Sequence, residues 1–425
     1  MLREIISRCK TIKYCADNFT QDFGLDLNLK KIIKNNTLIK WIIIILGYLY
    51  FGFLHIICSF CKIKNNKIVV CSFYGKGYSD NPKYIVEELL NRNLNVDIVW
   101  LLDNPSMYIL PNKIRKIRIF SIKSVYELLT AKVWIDNCRK YFFYNIFKPN
   151  GTIYIQTWHG GIGLKRAEKE VENHLAKSYI YSAKHDSKMI DYFLSGSKLQ
   201  SKDIKENFWY KGKIEEFGLP RNDQLINKQN WLKEKVYSFY KLNSYTKICL
   251  IAPTFRKGNV QAGFVDFGSL KKTLKEKFDG EWIIFLRLHP NIRDTEIELP
   301  DYVVNASFYE DSQELLCAAD ILITDYSSIM FDMMLCNKPV FIYADDINEY
   351  RKDRNFKFRF EELPFVCAES NEELIKNIER FNREIYLQNL SKFRRKVVLY
   401  ENGNASDKIV TKISEIINEK ISPME

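Results

Sequence analysis

The stretch Ala319 to Asp332, ADILITDYSSIMFD, carries a strand and the start of a helix with nothing between them but a tight turn. Ile321 to Thr324 is a short apolar run rich in β-branched residues, which suits a strand buried on both faces. Asp325, Ser327 and Ser328 are the residue types that cap a helix, and the apolar spacing of IMFDMML after them is helical. A strand running straight into a helix is the repeating unit of a parallel α/β sheet.

The same rhythm extends in both directions. KICLIAPTF (Lys247 to Phe255), EWIIFLRLHP (Glu281 to Pro290), YVVN (Tyr302 to Asn305) and KPVFIYAD (Lys338 to Asp345) read as further strands, separated by helix-like segments such as GSLKKTLKEKF (Gly268 to Phe278). An equivalent series precedes it: IVVCSF (Ile68 to Phe73), then a helical SDNPKYIVEELLNR (Ser79 to Arg92), then VDIVWLL, IRIF, KVWIDN and TIYIQTW (Thr152 to Trp158). A chain of 425 residues exceeds the usual limit of one core, roughly 250 to 300 residues. The expected organisation is an N-terminal segment over 1–65, one Rossmann-like domain over 66–235, a second over 236–400, and a C-terminal amphipathic helix within 401–425 that packs back on the first domain. Two such domains facing across a cleft make the glycosyltransferase-B plan, with ligands at the carboxyl ends of the strands.

The charged balance is 64 Lys and Arg against 52 Asp and Glu, a formal +12, which favours anionic partners. No RNA-binding signature and no basic stripe interleaved with aromatics accompanies it, so nucleic acid is not expected. The ten cysteines are scattered, several in strand-like runs (Cys71, Cys249), which suits a reducing compartment; the Cys58–Cys61 pair sits in apolar sequence and reads as packing. From Trp41 to Cys61 the chain carries no formal charge, long enough as a helix to approach the apolar thickness of a bilayer, ~30 Å. Lys30, Lys31, Lys34 and Lys40 precede this run and Lys62, Lys64 and Lys67 follow it. Basic flanks on both sides favour a helix lying in one leaflet over one that spans, so residues 38–61 are expected to anchor the protein monotopically.

The polar clusters fall just after expected strands. His159 follows TIYIQTW between Trp158 and Gly160, with room for a substrate and a side chain suited to proton transfer. Arg256 and His289 end neighbouring strands of the second domain, where paired donors suit a pyrophosphate. Ser327 and Ser328 open a helix, a place where hydroxyls and free N–H groups receive anions. Taken singly, Asp325 and these serines are also ordinary helix caps.

Seven segments in order, SDNPKY (79–84), QTWHG (156–160) with Lys165, GLPRND (218–223), APTFR (252–256), RLHP (287–290), ADILITDYSSIMFD (319–332) and KPVFIYADD (338–346), resemble the CDP-glycerol glycerophosphotransferase family. That family comprises teichoic acid primases and polymerases of Gram-positive walls and related capsule enzymes, and the resemblance covers roughly residues 66 to 415. It implies a transferase that moves glycerol phosphate from CDP-glycerol to a lipid-linked polymer at the cytoplasmic membrane face, releasing CMP; no carboxylate cluster demands a metal, no cofactor is expected, and a homo-oligomer is left open. Carried over by motif, His159 and His289 are catalytic, His159 as the base and His289 on the donor pyrophosphate; Arg256, Thr254, Asp325, Ser327, Ser328 and Asp332 bind the donor. Trp158, Gly160, Lys165, Arg221 and Asp223 lie on the acceptor side. Gly161 and Ile162 replace the family's usual Thr-Pro, and Phe255 its usual Trp, which keeps CDP-ribitol open as donor. The alternative on the same fold is a nucleotide-sugar transferase or epimerase.

Overall fold

The structure is a computed structural model that describes residues 49–50, 52–57, 60–140, 147–175, 177–254, 265–288, 298–347 and 356–418. The first sheet holds β1 (Lys64–Cys71), β2 (Asp97–Leu102), β3 (Ile114–Arg118), β4 (Ala131–Asp136), β5 (Ile153–Gln156), β6 (Tyr192–Leu194) and β7 (Lys213–Glu215), in the order β3-β2-β1-β4-β5-β6-β7. The second holds β8 (Thr246–Ala252), β9 (Glu281–Leu286), β10 (Val303–Asn305), β11 (Ile321–Thr324), β12 (Val340–Tyr343) and β13 (Val366–Ala368), in the order β10-β9-β8-β11-β12-β13. Every pairing is parallel. Both are doubly wound sheets that reverse direction between their first and fourth strands, and a crevice opens at that reversal.

Alternation along the strands explains why both faces are covered. In β1, Val69 and Cys71 join one core with Trp134 and Tyr154, while Ile68 and Val70 join the opposite core with Trp100 and Val133. In β8, Leu250 faces one core with Leu322 and Ile342, and Cys249 and Ile251 face the other with Ile323 and Phe341. The helices that cover these faces include α1 (Asp80–Asn91), α2 (Ile122–Leu129), α3 (Lys177–Met189), α4 (Lys198–Asn207), α5 (Asp223–Asn227), α6 (Gln229–Tyr240) and α7 (Phe267–Phe278). They continue with α8 (Ser312–Ala318), α9 (Ile329–Leu335), α10 (Asn371–Glu379), α11 (Arg383–Val397) and α12 (Ala405–Asn418).

Two segments cross between the cores. Leu225 and Leu232, from the stretch that sequence places in the first domain, sit in the second domain's core with Leu315 and Leu316, beside Val236 and Tyr237 just past the expected boundary. In the other direction α12 lays Ile409, Val410, Ile413 and Ile416 against Ile85, Val86 and Leu89 of the first domain. Burial of each such side chain is worth roughly 1.5–3 kcal/mol, enough to hold the returning helix.

Of the expected anchor over 38–61, residues 38–48, 51, 58 and 59 lie outside the described residues. Residues 52–57 are helical. Leu54 is buried in the first domain's core, whereas Phe53 is 62% and Ile56 60% exposed. Among the described residues no helix is long and apolar enough to cross a membrane.

Candidate active site

The first domain's switch point lies between β1 and β4, and the loops after β4 and β5 build its half of the site. His159 Nδ1 is 2.8 Å from the carbonyl oxygen of Asn137, just past β4. A carbonyl can only accept, so the proton sits on Nδ1 and Nε2 keeps its lone pair. The residue is exposed, while the Trp158 and Phe73 rings lie 4.6 and 5.8 Å from its imidazole between centroids. Desolvation lowers its pKa, the Asn137 carbonyl and Asp80 work against that, and Arg221 reinforces it; the net shift is downward. That direction favours the neutral imidazole, the form in which a ring nitrogen can accept a proton.

The loop that carries His159 is pinned carbonyl by carbonyl. Asn81 Nδ2 donates to the Trp158 carbonyl at 2.9 Å, an Arg221 Nη1 donates to the His159 carbonyl at 3.1 Å, and Gln200 Nε2 donates to the Gly160 carbonyl at 2.8 Å. The Trp158 N–H in turn donates to Gln156 Oε1 at 2.9 Å. These anchors hold Trp158 in the left-handed region, at φ 55°, which a bulky residue adopts only when its surroundings enforce it. The reward is a stacked pair: the Trp158 and His159 rings lie 4.6 Å apart, with the buried Arg139 guanidinium 5.5 Å from the Trp158 ring. Arg139 is itself ion-paired with Glu168 and Asp186.

In the second domain the switch point lies between β8 and β11. Asp325, just past β11, turns inward: its carboxylate accepts from the Thr254 N–H at 2.9 Å, from the Thr254 hydroxyl at 3.1 Å and from the Tyr326 N–H at 2.6 Å. It thereby fixes the end of β8 to the turn that opens α9. Ser327 and Ser328 are half-buried at that turn. A Cβ built on Gly160 would stand 3.9 Å from Ser328 Oγ, so the His159 loop of one domain and the serine turn of the other adjoin.

Buried charges close the two domains on each other. Lys83 of α1 pairs with Asp311 at 2.5 Å and Glu314 at 3.0 Å, and Tyr84 donates to Asp311 at 2.7 Å. Burial pulls the Lys83 pKa down, but these carboxylates outweigh it and hold the amine charged. Arg221 joins Asp80 and Asp332, each at 2.9 Å. Lys165 makes an isolated antiparallel bridge to Phe356, and Lys357 donates its N–H to the Leu164 carbonyl while pairing with Glu170 and Asp203.

Of the residues singled out from sequence, His159, Trp158, Gly160, Ser327 and Ser328 come together at the cleft, with Thr254 fixed beside them by Asp325. Arg256 and His289 lie outside the described residues. Asp332 is buried and turned onto Arg221 rather than toward open space, and burial raises its pKa although Arg221 opposes the rise. Arg221 is equally buried, its Nη groups spent on protein partners. Asp223 caps α12, accepting from the Ala405 and Ser406 N–H groups at 3.0 and 2.7 Å. Sequence reasoning passed over Asn137, Asp80, Asn81, Gln200 and Arg139. Asp80 and Asn81 lie within the quoted SDNPKY, whereas Gln200, on an otherwise plain polar helix, gives no signal.

A profile of the CDP-glycerol:poly(glycerophosphate) glycerophosphotransferase family matches residues 53–415. The teichoic acid poly(glycerol phosphate) polymerase of Bacillus spizizenii is 31% identical over 82% of this chain and 92% of its own length. That of Staphylococcus epidermidis is 30% identical over 84% of this chain, which spans only about half, 52%, of that longer protein. Among solved structures, the wall teichoic acid polymerase TagF soaked with CDPG superposes with a TM-score of 0.79 at 28% identity, over 94% of this chain and 100% of that one. The chain belongs to the CDP-glycerol:poly(glycerophosphate) glycerophosphotransferase family.

Proposed function

We propose that the protein transfers glycerol phosphate from CDP-glycerol to a hydroxyl on a membrane-linked teichoic acid or capsule polymer. The observation that carries this reading is the His159 tautomer. With its Nδ1 proton committed to the Asn137 carbonyl, Nε2 is left to take the acceptor's proton. The acceptor oxygen then attacks the phosphorus bearing glycerol, the bond from that phosphorus to the bridging oxygen breaks, and CMP leaves with the electron pair. Phosphoryl transfer of this kind is mostly positioning and charge neutralisation. Thr254, Ser327 and Ser328 would border the diphosphate beside the His159 loop, and the family motifs assign Arg256 and His289, outside the described residues, to the same donor.

CDP-ribitol is the second reading. Gly161 and Ile162 depart from the family's usual pair beside the acceptor, and a poly(ribitol-phosphate) polymerase of Bacillus spizizenii is 28% identical over 79% of this chain. Supplying CDP-glycerol, CDP-ribitol and UDP-sugars in turn to the full chain separates them. Transfer from CDP-glycerol at the highest kcat/KM supports the first reading, and transfer only from a UDP-sugar overturns both.

The membrane is proposed to meet the helix at 52–57. Phe53, Ile56 and Ile57 are exposed there, Phe60 follows at 84% exposure, and His55 meets the half-exposed Phe147 at 5.7 Å between ring centroids. Because Leu54 belongs to the core, the clean test replaces the outward residues rather than deleting the helix. The quadruple exchange of Phe53, Ile56, Ile57 and Phe60 to Gln should release the chain to the soluble fraction with donor binding intact; sedimentation with vesicles as before refutes the anchor.

A further inference from the structure

We infer that Arg221 is a positioning residue that ties the setting of the His159 loop to the seating of the second domain. The inference rests on the reading of His159 as the base. One planar guanidinium serves three partners: Nη1 reaches Asp80 at 2.9 Å and the His159 carbonyl at 3.1 Å, and Nη2 reaches Asp332 at 2.9 Å. Asp80 and the His159 carbonyl belong to the first domain; Asp332 stands on α9 of the second, in the turn that follows Ser327 and Ser328. The two Nη groups are rigidly coplanar, so one cannot be re-aimed without moving the other. A shift of α9 away from the cleft therefore strips Arg221 of one of its two carboxylates and rotates the donor that fixes His159.

The neighbourhood agrees with a coupling role. The Arg221 N–H donates to Asn81 Oδ1 at 3.1 Å, and Asn81 also holds the Trp158 carbonyl, so the residue's backbone and side chain grip the same loop. Gln313 of α8 donates to both Asn222 and Asp332, binding the residue after Arg221 and its cross-domain partner to one amide. Arg221 Nε is buried with no hydrogen-bond partner, a cost tolerated where the two Nη contacts decide the geometry. Asn81 and Gln200 hold the loop from the first domain alone, and Arg221 is the anchor whose aim also depends on the seating of the serine turn.

The test uses the full chain with CDP-glycerol as donor and an oligo(glycerol phosphate) on a short alkyl chain as acceptor probe. Asp332→Asn keeps the shape and removes the cross-domain charge. It should melt near the wild type and bind CDP-glycerol within about threefold, while kcat falls about tenfold or more. Arg221→Lys keeps the charge but not the fork, and should lose kcat similarly with the acid limb of the pH–rate profile unmoved. Arg221→Gln should move that limb to higher pH, because Asp80 and Glu168 then act on His159 without the opposing cation. If Asp332→Asn and Arg221→Lys both fold and transfer at the wild-type rate while His159→Ala is inactive, the coupling is wrong and the base stands. If Asp332→Asn loses donor affinity in step with kcat, Asp332 serves the donor and the coupling is equally wrong. If His159→Ala transfers at the wild-type rate, the base reading falls first.

Discussion

The two domains share one strand order over six strands, the first adding β7 at its edge, and hold their switch-point loops in opposite ways. After β5, side chains from α1, α4 and the β7 loop seize the carbonyls of Trp158, His159 and Gly160, leaving one imidazole nitrogen unspent. After β11, a single carboxylate, Asp325, seizes N–H groups and leaves hydroxyls at the surface of the turn. Pinning carbonyls orients a base, whereas pinning N–H groups shapes a pocket whose contacts to the donor come from side chains. On the proposed reading, one fold used twice divides proton transfer from donor holding.

The sharpest break of this division is His159→Ala. General base catalysis contributes about two to four powers of ten, so turnover should fall by that factor with CDP-glycerol affinity and Tm nearly unchanged. On the donor side, Arg256→Ala should remove a charge-assisted contact of roughly 1.5–3 kcal/mol and weaken CDP-glycerol binding about ten- to a hundredfold in calorimetry. If the His159 variant loses donor affinity and the Arg256 variant does not, the division of labour is reversed. Between them comes Asp325→Ala, which frees the Thr254 N–H and removes a shaping contact. It should raise the Kd for the donor by about tenfold, leaving the pH dependence of kcat as it was.

A smaller effect concerns the hinge where the chain returns to the first domain. Glu401 is enclosed, accepting from the Leu219 N–H at 3.0 Å and Asn222 Nδ2 at 2.9 Å, and burial pushes its pKa up to about 8. A carboxyl raised in the folded state stabilises the fold below its unfolded pKa, near 4.5, and that stability is lost as pH rises toward 8. Tm should therefore fall by roughly a few degrees between pH 5 and pH 8, and Glu401→Gln should flatten that slope. An identical slope in the variant removes Glu401 as its cause.

Much of the fold was legible because long strands and capped helices carry periodicity. The runs at 68–73, 96–102 and 247–255 appear as β1, β2 and β8 with their ends shifted by a few residues. Strands β6, β7 and β13, three residues each, are too short to show any period and were not expected. The strand rhythm restarts near 235, whereas Ile162, Leu164 and Leu225 already pack in the second core, because burial follows contact rather than sequence order. In the site, His159 and the Ser327–Ser328 turn were visible as unusual residues at strand ends. Their settings were not, since the Asn137 carbonyl, the Gln200 amide and the Asp332 partner of Arg221 meet them only through the folded chain. Arg221 and Asp223 illustrate the limit: a motif names the residue, and only packing shows that one bridges the domains and the other caps a helix.

The pH dependence of kcat, measured side by side in the wild type and His159→Ala, tests the central claim most directly. The account predicts an acid limb in the wild type centred below pH 6.5, where a desolvated imidazole gains its proton, and a low, flat profile in the variant. The same acid limb in both proteins would contradict it.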